Sequence, residues 1–130
     1  MMINELKHGD ITEKIIKSFY KVYNELGFGF LERVYENALL IELEEENLVC
    51  EKQKTLEVFY RERKVGNYFA DILVENKVIV EIKACDTLIK EHELQLINYL
   101  KATNIEVGLL LNFGKEAKFR RKIFTNKYPK

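Results

Sequence analysis

A chain of 130 residues, 47% hydrophobic and 32% charged, has the size and composition of one globular domain. Lys and Arg balance Asp and Glu at 21 each, so the net charge is zero and the pI about 6.8, which excludes the global signature of a nucleic-acid binder. No apolar run is long enough to span a bilayer, Met1–Glu5 lacks the basic and apolar parts of a signal peptide, and Cys50 and Cys85 have neither metal-ligand spacing nor the number for a disulfide framework.

A single cytoplasmic domain over 1–130, with both cysteines reduced and no membrane contact, is therefore expected. Ile15, Ile16, Phe19, Val22, Tyr23 and Leu26 recur at helical spacing and predict a helix from Thr12 to Leu26. Asp10 and Glu13 resemble a capping box, and Gly27 is a natural stop. A second helix is predicted from Leu31 to Glu46, with Leu31, Val34, Tyr35, Ala38, Leu39 and Leu43 on its apolar arc. Glu32 falls inside that arc and Glu36 at its edge. An acid in a first turn is favoured by the helix dipole. The alternative is that Glu32 points under the sheet toward a functional patch.

Val49 to Tyr60 is strand material, and Arg61 to Gly66 reads as a charged turn. A third helix is predicted from Lys90 to Thr103, with Leu94, Ile97 and Leu100 inward and His92, Gln95 and Tyr99 on one stripe. Ile105 to Phe113 is an apolar strand. Lys118 to Phe124 is a last strand whose basic side chains blunt an edge. Residues 115–130 carry seven Lys and Arg against Glu116 alone. That segment either steers a polyanion or is a solvated chain end. The order gives a mixed sheet with helices on its faces, closed by a right-handed strand-helix-strand crossover.

The chemistry concentrates between Asp71 and Lys83. Two β-branched segments, Tyr68–Val74 and Val78–Lys83, flank the polar Glu75-Asn76-Lys77, a strand-turn-strand pattern. A three-residue loop centred on Asn76 sets Asp71 opposite Glu81, with Cβ atoms roughly 4.5–5.5 Å apart. A two-residue turn at 76–77 would put Asp71 on the other face. Alternation places Glu81 and Lys83 on one side. Val78, Val80 and Ile82 fill the opposite face, so this strand should be central and covered. Charges there are costly unless paired or metal-bound. The triple is either a cross-strand ion pair or a site for a hard metal with a cation beside it. Cys85 reads as a small packed residue rather than a nucleophile.

These pieces together resemble the GxxExxY family, a branch of the PD-(D/E)XK nuclease superfamily. The name-giving motif stands as Gly29-Phe30-Leu31-Glu32-Arg33-Val34-Tyr35, and the nuclease core motif as Asp71 with Glu81-Ile82-Lys83. Gln95-x-x-x-Tyr99 is similar to the element of RecB-like nucleases, and Leu110–Gly114 to the family's strand ending. Ala70 stands where the superfamily name has Pro.

The resemblance implies a restriction-endonuclease-like α/β core and a metal-dependent nuclease acting on DNA. Asp71, Glu81, the Ile82 carbonyl and Glu32 would hold Mg²⁺ or Mn²⁺. Lys83 would handle the attacking water or the developing charge, and Gln95 and Tyr99 would orient the site. Two alternatives remain: a non-catalytic nucleic-acid-binding module, and an interaction subunit of a DNA-processing assembly. A homodimer or a larger complex is compatible with each.

Overall fold

The computed structural model describes residues 6–125. Met1–Glu5, where no signal segment is expected, and Lys127 and Lys130 of the basic segment lie outside them. In chain order the elements are α1 (Gly9–Leu26), α2 (Glu32–Glu45), β1 (Cys50–Tyr60), β2 (Arg63–Val74), β3 (Val78–Lys83), α3 (Lys90–Ala102), β4 (Val107–Phe113) and β5 (Ala117–Ile123). The five strands form one sheet in the order β1-β2-β3-β4-β5. β3 and β4 are parallel and joined through α3, and the other neighbours are antiparallel. This is the mixed α/β sheet with flanking helices that the sequence predicts. Among the described residues no helix is long and apolar enough to cross a membrane.

Alternation along the central strands builds two cores. Ile72, Val74, Val78, Val80, Ile82, Leu109 and Leu111 face Ile15, Phe19, Tyr35, Leu39 and Leu43 of α1 and α2. Leu73, Ile79 and Leu110 face Leu96, Tyr99 and Leu100 of α3. Each fully buried aliphatic side chain contributes roughly 1.5–3 kcal/mol. With both faces covered, β3 is buried from Val78 to Ile82. A Cβ on Gly108 would come within 2.7 Å of Leu96 Cδ1, so the missing side chain lets α3 lie close on β4.

Four local expectations are corrected. α1 begins at Gly9 behind His8, which has φ 53° and no side-chain cap, so Asp10 sits inside the first turn rather than capping it. The turn read over Arg61–Gly66 shrinks to Arg61 and Glu62, both with positive φ, and Arg63 already pairs with Tyr60. Charge there marks an exposed strand arm rather than a loop. Leu31 and Val34 of the predicted arc are exposed. α3 buries Leu96, Tyr99 and Leu100, while Leu94 is 48% exposed, so its inward face is rotated from the predicted one.

Candidate active site

Glu75 and Asn76 take positive φ, and Lys77 N–H donates to Val74 O at 2.9 Å, closing a three-residue loop. Val74 then pairs with Val78, Leu73 with Ile79 and Ile72 with Val80. Extending this register sets Asp71 opposite Glu81 and rules out the two-residue turn. The ladder stops one pair short of them. Regular pairing would aim the Ile82 N–H at the Ala70 carbonyl. It donates instead to Asp71 Oδ2 at 2.7 Å.

A second interruption lies on the other edge of β2. Lys52 pairs with Ile72 and Lys54 with Ala70, but Gln53 between them has φ 51° and does not pair with Asp71. The Asp71 N–H is thus free of β1, and it donates to Glu81 Oε2 at 2.8 Å. Alternation also breaks here: Ala70 and Leu73 face α3, while Ile72 and Val74 face α1 and α2. Two backbone donors released from the sheet hold the two carboxylates at the opening between β2 and β3.

Glu81 is 6% exposed. Burial, and next the Asp71 charge, push its carboxyl up to about 8 against the pull of the Asp71 N–H and of Lys83. A carboxylic acid kept protonated near neutral pH, beside a carboxylate and a half-buried lysine, is a group waiting for a counter-charge. Tyr99 on α3 reaches the same pair. Burial comes first and the charges of Glu81 and Asp71 next in holding its hydroxyl up to about 12. Gln95, one turn earlier, is exposed and lines a cleft with Tyr68 and Tyr99. His92 does not share this role, because its Nδ1 accepts the Ile89 N–H at 3.2 Å at the start of α3.

The acid supplied by α2 is Glu36 rather than Glu32. Glu32 opens the helix and is exposed, so its expected approach to Glu81 is corrected. Glu36 is 6% exposed, and burial followed by the Asp71 charge raises its carboxyl. Gln53 Nε2 donates to Glu36 Oε1 at 2.9 Å, and Lys52 Nζ lies 3.6 Å from Oε2. Gln53, which sequence reasoning missed, and Glu36, noted there only at the edge of the apolar arc, are thus tied together with Asp71 in electrostatic reach. The left-handed backbone of Gln53 that makes this possible is one that strand propensity does not reveal.

The remaining motif residues brace the site. Asn112 is buried in register with Lys83. Its Oδ1 accepts the Cys85 N–H at 3.0 Å and its Nδ2 donates to Cys85 O at 2.9 Å. A Cβ on Gly114 would fall 2.3 Å from that carbonyl. Cys85 is thus a clamped backbone position. Tyr35 donates its hydroxyl to Gly27 O at 2.7 Å, accepts the Phe30 N–H at 3.2 Å and stacks on Phe113 with ring centres 4.3 Å apart. It fixes the turn from which α2 starts.

The donor chemistry suits a hard divalent cation. Asp71 and Glu81 each commit one oxygen to a backbone N–H, and the Ile82 carbonyl points to the same strand edge as its N–H. Among the described residues no group of three His, Cys, Asp or Glu is close enough to make a metal cage. Two carboxylates with solvent fit Mg²⁺ or Mn²⁺, which retain waters, and do not fit a zinc centre. The basic C-terminal segment is partly neutralised within the fold. Lys122 and Arg120 pair with Glu93, and Lys118 with Glu116.

The family model described as PD-(D/E)XK nuclease superfamily matches residues 9–123. No curated protein matches the chain. Among solved structures, the crystal structure of SSO0001 is similar, with a TM-score of 0.56 and 19% identity over 70% of this chain. The chain spans 50% of that structure's length, and the likeness is one of fold.

Proposed function

We propose, for a chain that belongs to the PD-(D/E)XK nuclease superfamily, a metal-dependent phosphodiester hydrolase of the GxxExxY branch that acts on nucleic acid, DNA in the first place. The observation carrying this reading is the pair Asp71 and Glu81, held by released backbone N–H groups with Lys83 beside it. Asp71, Glu81 and the Ile82 carbonyl are the ligands for Mg²⁺ or Mn²⁺. The ion, when bound, supplies an activated water and positive charge against the scissile phosphate. Lys83 positions or deprotonates the attacking water, or neutralises the charge that builds on the phosphate. Glu36 adds negative charge behind Asp71. Tyr99 stays protonated at neutral pH and offers a hydrogen-bond donor, and Gln95 orients substrate at the cleft.

The test is cleavage by the purified chain of single- and double-stranded DNA and RNA, with Mg²⁺, Mn²⁺ or chelator. Metal-dependent cleavage that falls about 10²–10⁴-fold in Lys83→Ala is expected. A folded protein that cuts nothing in either metal would remove the reading. The second reading, an interaction subunit of a larger DNA-processing assembly or a homodimer, draws on a different observation. Phe28, Phe30, Leu31 and Val34 are all exposed around the α1–α2 turn. Sedimentation of the chain with and without Leu31→Lys decides whether that patch joins two copies.

A further inference from the structure

Next to the carboxylate pair lies a cleft of about 220 Å³ lined by Tyr68, Leu94, Gln95, Asn98 and Tyr99, with Glu91 at its rim. Its make-up differs from that of the carboxylate site. Tyr68, on β2 three residues before Asp71, is 43% exposed, and its ring centre lies 4.9 Å from that of Tyr99. Leu94 is 48% exposed. Gln95 and Asn98, on adjacent turns of α3, are exposed, and their side-chain amides have no hydrogen-bond partner among the described residues. The cleft thus offers an aromatic face, an apolar edge, and two side-chain amides that can both donate and accept. Tyr99 is shared: one side of its ring meets Tyr68, and its hydroxyl senses Asp71 and Glu81.

We infer that this cleft takes one unpaired nucleobase beside the scissile phosphate, stacked on Tyr68 and hydrogen-bonded along its edge by Gln95 and Asn98. The inference rests on the nuclease reading for its substrate class and sharpens it, since the chain then selects single-stranded nucleic acid or unpaired ends over intact duplex. The chemistry requires this selection. In a duplex each base has both faces stacked and its pairing edge occupied, so neither the ring nor the amides can be used. A base extruded from a strand offers both at once. Stacking tolerates any base, whereas amides favour bases that present a donor and an acceptor side by side. The strand arm explains why Tyr68 is available. Leu56 opposite it is buried, while Tyr68 meets Tyr99 of the α3 core and still leaves 43% of its surface exposed. A tyrosine that only completed the core would be covered as Leu56 is.

The test is fluorescence anisotropy of labelled oligo-dT, oligo-U and a blunt duplex of equal length, in Ca²⁺ to favour binding over cleavage. Wild type is expected to bind both single strands at least about tenfold tighter than the duplex, and an abasic position in the strand to weaken that binding. Tyr68→Ala should lose about ten- to hundredfold in single-strand affinity and little in duplex affinity, while Tyr68→Trp and Tyr68→Phe retain it. Circular dichroism of each variant separates unfolding from a lost contact, and the abasic strand tests the same contact in unaltered protein. Equal binding of duplex and single strands by wild type, or single-strand binding indifferent to both Tyr68→Ala and the abasic position, would overturn the inference. Single-strand binding through Tyr68 without cleavage in Mg²⁺ or Mn²⁺ would support the base site and remove the nuclease reading. Duplex cleavage indifferent to Tyr68 would do the reverse. Absence of binding to both oligo-dT and oligo-U overturns the base site.

Discussion

Glu36 on α2 lies within electrostatic reach of Asp71 on β2: burial first, and then the Asp71 charge, raises the Glu36 carboxyl. Glu32, one turn earlier on the same helix, is exposed. Glu36→Gln should therefore change the site, lowering metal affinity and cleavage by about tenfold or more through the loss of one nearby charge. Glu32→Gln should leave both within about twofold. Parallel titrations and rate measurements on the two variants check this, and a larger effect from Glu32 would reverse the assignment.

The pH dependence of stability follows from Glu81. Its folded carboxyl titrates near 8, against an ordinary value of 4.5. Between these values the folded state holds a proton that the unfolded chain has released. This contribution is fully present below about 4.5 and is lost as pH rises through about 8. In metal-free protein it amounts to roughly 5 kcal/mol at most. Urea denaturation in chelator should show stability falling across that window. Glu81→Gln should flatten the slope and be the more stable protein at the alkaline end. An unchanged slope in Glu81→Gln would assign the titration to another group.

The hairpin was legible for a physical reason. A three-residue loop centred on Asn76 gives one register and a two-residue turn at 76–77 the other, and a register fixes which residues face each other. The positive φ of Glu75 and Asn76 and the bond from Lys77 N–H to Val74 O select the first, which sets Asp71 against Glu81. Glu36 was not legible in this way, because a helical wheel gives angle without position along the axis. Glu32 has the right angle but opens α2, one turn before Glu36, and is exposed. The rotation of α3 had a similar source: Leu94 is as apolar as Leu96, and what decides between them is the bare Gly108 on β4 that admits Leu96. The Gln53 irregularity left no mark in the sequence, since no Gly or Pro stands there.

Asn112→Ala should destabilise the protein by about 2–3 kcal/mol. It leaves the Cys85 N–H and C=O without the partner that now satisfies both. Gly114→Ala should act on the same segment by driving a methyl group against the Cys85 carbonyl. Both should lower activity further than their stability loss explains, because Cys85 follows Lys83 by two residues. Thermal denaturation with single-turnover rates at a temperature where each variant is folded checks the two effects separately.

Tyr35→Phe keeps the ring stacked on Phe113 and removes the hydroxyl that donates to Gly27 O and accepts the Phe30 N–H. A loss of about 1–2 kcal/mol is expected, with metal affinity nearly unchanged. Chemical denaturation gives the first quantity and calorimetry the second. A tyrosine that touched substrate would instead show normal stability and lost cleavage.

Calorimetric titration of Mn²⁺ into the full chain tests the metal site most directly, with Asp71→Asn and Glu81→Gln alongside. Wild type should bind one ion and, below about pH 8, release the Glu81 proton as it does so, seen as a binding heat that varies with the ionisation enthalpy of the buffer. Each variant should lose binding by at least about tenfold, and Glu81→Gln should lose the proton release entirely. Equal Mn²⁺ affinity in wild type and both variants would contradict a metal site at Asp71 and Glu81.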